Sequence, residues 1–186
     1  MEYELIRSRR RTLAVEFRDG RLLVRAPLTA PKGQIDRFLE AHRRQIGAYL
    51  EKERARARER AAVPRLTQAE HEALRKRAKA VIPERVAYYA PLVGVDYGRI
   101  TVRSQRTRWG SCSAKGDLSF NCLLLLAPPE VLDGVVVHEL CHRREPNHSP
   151  RFYAEVLRVL PDYRAGEKWL KENGHLLLAR LGEAHT

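Results

Sequence analysis

His138, Glu139 and His142 stand in the order H-E-x-x-H, and a further histidine, His148, follows six residues after the second. On a helix, residues four apart are turned by about 400°, so His138 and His142 share one face, one turn apart. Two imidazoles so placed can each give one nitrogen to a single tetrahedral Zn²⁺. Glu139 lies about 100° around from His138, within reach of a water held by the metal but not of the metal itself. The metal lowers the pKa of such a water to about 7, and a carboxylate beside it is a general base. The chemistry predicted is metal-assisted hydrolysis.

A straight helix cannot wrap a metal, so a third ligand must come from beyond it. Pro146 disfavours helix at Glu145 and removes a backbone donor, which lets the chain turn and bring His148 to the site. Three protein ligands and one open position form the catalytic pattern; four protein ligands form a structural one. Glu155 and Asp162 are the other candidates for the third ligand. The bland alternatives are a hydrogen-bonded pair of core histidines, or a closed structural zinc site that leaves Glu139 without a role.

The elements that position these residues follow from periodicity. Pro128-Pro129 opens a segment in which Val131, Leu132, Val135, Val136, Val137 and Leu140 leave almost no polar face, as in a buried helix. Before it, Ile100–Arg103 and Leu118–Leu126 read as strands, with Lys115-Gly116-Asp117 as a turn. After it, Ser149 caps a helix begun at Pro150, and Pro161-Asp162 starts another that Asn173-Gly174 should close. Upstream, Thr67-Gln68-Ala69-Glu70 is a capping box that starts a helix, with a kink or break expected at Pro83.

The first 62 residues read differently. Alternation at Leu13, Val15 and Phe17, and again at Leu22, Val24 and Ala26, predicts a hairpin around Asp19-Gly20, with Tyr3–Ile6 as a third strand. A helix is expected over 34–60, apolar on one face only as far as Leu50 and charged thereafter. Val63-Pro64 marks a boundary. The organisation expected is thus an N-terminal β-hairpin region with a long charged helix over 1–62, and a hydrolase domain over 63–180.

The chain has 186 residues, 44% of them apolar, enough for a core. A formal charge of +12 favours anionic partners, which adds nucleic acid and nucleotides to the candidates. The cluster Arg7, Arg9, Arg10 and Arg11 is either an anion-binding patch or a solvated strand edge. Cys112, Cys122 and Cys141 form no C-x-x-C pair, and their odd number argues against a disulfide framework. No charged and apolar leader follows Met1, and no apolar run is long enough to cross a bilayer. A cytoplasmic setting without membrane partners is expected.

Several stretches in order carry a resemblance: Arg108-Trp109-Gly110-Ser111-Cys112-Ser113, Leu126-Ala127-Pro128-Pro129-Glu130-Val131, the H-E-x-x-H helix, Glu145-Pro146-Asn147-His148-Ser149, and Pro161-Asp162-Tyr163-Arg164. Together they resemble the YgjP-like metallopeptidase domain, related to the SprT-like and minimal zincin metalloproteases. The resemblance implies an α+β, zincin-like fold with His138, His142 and His148 as zinc ligands and Glu139 as catalytic acid/base. It also implies a protein or peptide substrate, aligned by a strand just before the metal helix. Leu118–Leu123 is the candidate strand and Asn121 the candidate substrate-facing residue. Tyr153 and Arg151 are close to His148 in sequence, and Tyr153 reads as a packing residue. Two other functions remain open on the residues: hydrolysis of a nucleotide phosphoanhydride, and nucleic-acid binding by a basic protein with a structural metal. Imidazole ligands also suit Ni²⁺ and, with carboxylates, Mn²⁺ besides Zn²⁺.

Overall fold

The computed structural model describes residues 2–18 and 21–181. The Asp19-Gly20 turn and the tail beyond Leu181, expected to be loose, lie outside them. The chain divides into two compact units, Met1–Ala62 and Val63–Thr186.

In the first unit, β1 (Glu4–Ser8), β2 (Ala14–Arg18) and β3 (Arg21–Pro27) form a sheet of order β1-β3-β2. Strand β3 runs parallel to β1 and antiparallel to β2, with Arg18 opposite Arg21. Leu22, Val24 and Ala26 turn their side chains to one face, as a period of two requires, and meet Ile35, Leu39 and Ile46 in a small core. The helix predicted over 34–60 is two helices, α1 (Lys32–Ala41) and α2 (Arg43–Ala62). His42 breaks it, leaving helical geometry at φ −108° and ψ 12° while its Nδ1 bonds the Phe38 carbonyl at 2.8 Å. Ile46 is the buried residue of α2, so the helix beyond Leu50 packs on no core and carries surface ion pairs such as Arg54–Glu51. Arg7 is partly committed within the sheet, its Nη1 donating to the carbonyls of Pro27, Leu28 and Ala30.

The second unit is α+β. It contains α3 (Gln68–Val93), β4 (Ile100–Arg103), β5 (Gly110–Cys112), β6 (Leu118–Asn121), a 3₁₀ turn over Cys122–Leu126, α4 (Pro129–Cys141), α5 (Pro150–Val159) and α6 (Tyr163–Ala179). The capping box forms as predicted: the Thr67 side chain accepts from the Glu70 amide, and the Glu70 carboxylate accepts from the Thr67 amide. Helix α3 does not break at Pro83. Ala78, Ile82 and Val86, all fully buried, hold both flanking segments against the core, which outweighs the local cost of the lost backbone bond. Helix α6 likewise runs through Gly174.

The sheet order is β4-β6-β5, with β6 parallel to β4 and antiparallel to β5. The strand predicted over 118–126 stops at Asn121, because the Asn121 side chain accepts from the Leu123 amide at 3.1 Å and starts the 3₁₀ turn. Helix α4 runs through the core, flanked by α3 and α6, and ten of its thirteen residues are buried. A buried charge on such a helix needs a partner, and Asp133 has three bonds: Arg85 Nε at 2.7 Å, Arg85 Nη2 at 2.6 Å and the Tyr89 hydroxyl at 3.1 Å. This bidentate pair ties α4 to α3 about one and a half turns before His138. The three cysteines are free. No described helix is long and apolar enough to cross a membrane.

Candidate metal centre and active site

Helix α4 ends at Cys141, and His142 caps it with αR geometry (φ −63°, ψ −17°), so the four-residue spacing still stacks the two imidazoles. The helix therefore ends before Glu145, the position next to Pro146 where a stop was expected. The chain turns through 142–147 and re-enters helix at α5, where the Ser149 side chain accepts from the Phe152 amide. That cap fixes the direction of His148, immediately before it. His138 Nε2 lies 3.2 Å from His142 Nε2 and 3.0 Å from His148 Nε2.

Three neutral imidazole nitrogens crowded like this repel through their lone pairs unless a proton or a cation lies between them. Zinc bonded to nitrogen at 2.0–2.1 Å in tetrahedral geometry separates its ligand atoms by roughly 3.3 Å. The observed spacings are close to that edge. Among the described residues, His138, His142 and His148 form the group that could hold a metal, with all three ligand atoms within 4.8 Å. Glu155 and Asp162 are not in it. Glu155 instead accepts from Arg158 at 3.0 Å and faces Arg144, and both arginines donate to the Val93 carbonyl at the end of α3.

Two of the three other ring nitrogens have partners, and at His142 the partner fixes the tautomer. His142 Nδ1 donates to the Glu145 carbonyl at 3.2 Å, leaving Nε2 as the lone-pair nitrogen. His138 Nδ1 is 2.9 Å from the Tyr163 hydroxyl, brought by α6. Burial, followed by the neighbouring His142 and His148 rings, pushes the His138 pKa down to about 4, which keeps it in the neutral, ligating form. Phe152, fully buried, touches all three imidazoles with ring centroids 4.7 to 4.9 Å away and forms the apolar floor. Loss of the Tyr163 hydroxyl in Tyr163→Phe should weaken metal affinity by about 10- to 100-fold, measured by competition with a chelator.

Glu139 is 6% exposed, and burial pushes its pKa up to about 7 against the opposing pull of Arg108. A cation at the histidines would draw it back down. Its carboxylate lies flat against the backbone of β5. A Cβ at Gly110 would come within 2.7 Å of Glu139 Cγ, and closer still to its carboxylate oxygen. Gly110 is thus the residue that leaves room for Glu139. Gly110→Ala should displace that carboxylate and lower kcat by roughly 10- to 100-fold, with metal content unchanged.

Two clefts meet at Glu139. One, of about 370 Å³, lies between the 107–110 loop, α4 and α6, with Val131, Val135 and Leu170 in its walls. The other, of about 550 Å³, runs along β5 past Ser111, Cys112, Ser113, Arg143 and His148. Arg108, Gly110, His138 and Glu139 line both. Arg143 holds the turn that follows β5, donating to Asp96 Oδ1 at 2.9 Å and the Ala114 carbonyl at 3.3 Å.

Asn121 does not face either cleft. It is 1% exposed, and its amide donates to the Gln105 carbonyl at 2.6 Å and the Arg108 carbonyl at 3.2 Å. Strand β6 is also the middle strand, paired on both sides, so it has no edge for a substrate. The edge strands of this sheet are β4 and β5, and of the two β5 lines the second cleft. Tyr153 packs as expected, stacked near His148 with the Arg164 guanidinium 4.1 Å over its ring. The sequence places Phe152 on the apolar face of the helix begun at Pro150, but carries no signal for its contact with the imidazoles, nor for the roles of Tyr163, Gly110 and Arg108.

No curated protein matches the chain. Among solved structures, the metallopeptidase zymogen of Pyrococcus abyssi abylysin is 22% identical, with a TM-score of 0.45 over 52% of this chain and 95% of that one. The metallopeptidase zymogen of Methanocaldococcus jannaschii jannalysin is 21% identical, with a TM-score of 0.44 over 51% of this chain and 96% of that one. The sequence pattern of the YgjP-like, metallopeptidase domain family matches residues 51–173 and spans the whole metal centre. With about two thirds of its length so matched, the chain belongs to the YgjP-like metallopeptidase domain family.

Proposed function

We propose that this protein is a zinc-dependent metallopeptidase, with His138, His142 and His148 as ligands, Glu139 as general base and acid, and 63–180 as the catalytic domain. The observation that carries the reading is the convergence of three Nε2 atoms beside a buried carboxylate at the meeting point of two clefts. When bound, the ion supplies a Lewis acid for the scissile carbonyl and an acidified water. Three imidazoles and an open position suit Zn²⁺ best among the common divalent ions.

The remaining work falls to the chain. Glu139 takes a proton from the attacking water and passes it to the leaving amine nitrogen, a shuttle its seat against Gly110 keeps short. The unpaired edge of β5 gives main-chain donors and acceptors to an extended peptide, so a polypeptide laid across Glu139 places its flanking side chains in the two clefts. A cleft lined by a strand edge favours a peptide, and the sequence holds no Gly-rich phosphate loop to favour a nucleotide.

The test is metal content of the purified protein, followed by assays on an unfolded protein and on a nucleotide panel. About one zinc per chain with peptide cleavage supports the reading. Stoichiometric metal with nucleotide hydrolysis and no peptide cleavage overturns the substrate; no metal after reloading overturns the hydrolase.

A further inference from the structure

Four residues line both clefts, and three have evident places: His138 with the metal ligands, Glu139 as base, Gly110 as the gap that seats it. The fourth is Arg108, the one arginine or lysine among the described residues that lines both clefts. Side-chain pockets lie to either side, so a group at the crossing faces the bond under attack rather than a flanking side chain.

The fold holds Arg108 there with some care. The buried Asn121 side chain donates to the Arg108 carbonyl, and the Asn121 amide donates to the Trp109 carbonyl at 2.8 Å. Trp109 packs against α6 so closely that a Cβ at Gly174 would lie 2.9 Å from its ring. Two adjacent main-chain positions are therefore clamped, while among the described residues no hydrogen bond or ion pair occupies the Arg108 guanidinium. A rigidly based, uncommitted guanidinium beside the general base is a preorganised donor for developing negative charge.

Resting on the peptidase reading, we propose that Arg108 is a catalytic residue that donates hydrogen bonds to the carbonyl oxygen of the scissile peptide as it becomes an oxyanion. The water oxygen forms a bond to the carbonyl carbon, the π pair moves onto the carbonyl oxygen, and the water proton goes to Glu139. Collapse reforms the carbonyl, breaks the C–N bond and sends that proton to the amine. Arg108 keeps its own protons throughout. Asn121 is then a positioning residue, acting through the main chain of Arg108.

The experiment compares wild type, Arg108→Ala and Arg108→Lys for metal content, thermal midpoint, and kcat and KM on one neutral peptide. It also measures the affinity of metal-loaded Glu139→Gln for the same dye-labelled peptide by anisotropy, with and without Arg108→Ala. Arg108→Ala should lower kcat by about 100- to 1,000-fold with metal content and peptide affinity unchanged, and Arg108→Lys should recover part of the loss. A loss confined to KM and matched by weaker binding in the anisotropy assay overturns the assignment and makes Arg108 a substrate anchor. Equal kcat in wild type and Arg108→Ala also overturns it. A wild type that holds metal but cleaves no peptide overturns the peptidase reading and this assignment together.

Discussion

Glu139→Gln is expected to lower kcat on peptide substrates by about 100- to 10,000-fold while leaving metal content at the wild-type level. The amide keeps the shape that fits against Gly110 but cannot accept a proton from water. Its carboxylate is 6% exposed and makes no ligand contact with the histidine cluster, so the metal loses no ligand. Burial also raises the carboxylate pKa, so the neutral amide should not destabilise the fold. The checks are elemental analysis and steady-state kinetics on the same preparations. Loss of metal together with activity would make Glu139 part of the coordination sphere and sink its assignment as base.

The second large effect is expected at His148. It would close the proposed ligand set from outside the helix, lies 3.0 Å from His138 Nε2, and is the exposed member of the three. His148→Ala leaves two imidazoles one helical turn apart, and metal affinity should fall by more than about 100-fold, beyond the range seen for groups that merely support a ligand. Glu155→Ala is the control. It removes the carboxylate through which α5 pairs with its own Arg158 and with Arg144 after α4, so it should lower the thermal midpoint without changing metal affinity. The opposite pattern, with metal lost in Glu155→Ala and kept in His148→Ala, would transfer the third ligand to the carboxylate. Chelator competition and a thermal melt on each variant decide between them.

Much of the architecture was legible because it is local. Thr67 and Glu70 cap α3 through bonds spanning three residues, and Ser149 does the same for α5. The alternation at Leu22, Val24 and Ala26 predicts a half-buried strand because neighbouring side chains on a strand point to opposite faces. The departures share one cause, tertiary packing. At Pro83, where a kink or break is expected, the break does not occur, and α6 runs on through Gly174; Ile82 and Val86 are buried around the first and Trp109 packs on the second. Asn121, a polar side chain in an apolar run, reads by sequence only as a candidate for facing substrate. Burial spends it instead on two carbonyls of the 104–109 loop.

The sequence by itself determined the spacing of His138, Glu139 and His142, and hence the metal chemistry, since a helix turns by a fixed angle per residue. It also determined that the chain must turn before His148, through Pro146 and the Ser149 cap. Only the tertiary structure decided what surrounds them. The Tyr163 hydroxyl reaches His138 across 25 residues, Phe152 lies beneath all three imidazoles, Gly110 opens a seat for Glu139, and Arg108 stands where two clefts cross. These contacts join separate elements, and the packing of α4 against β5, α5 and α6 sets them. No period or spacing along the chain encodes that packing, so it becomes readable only when the elements are in place.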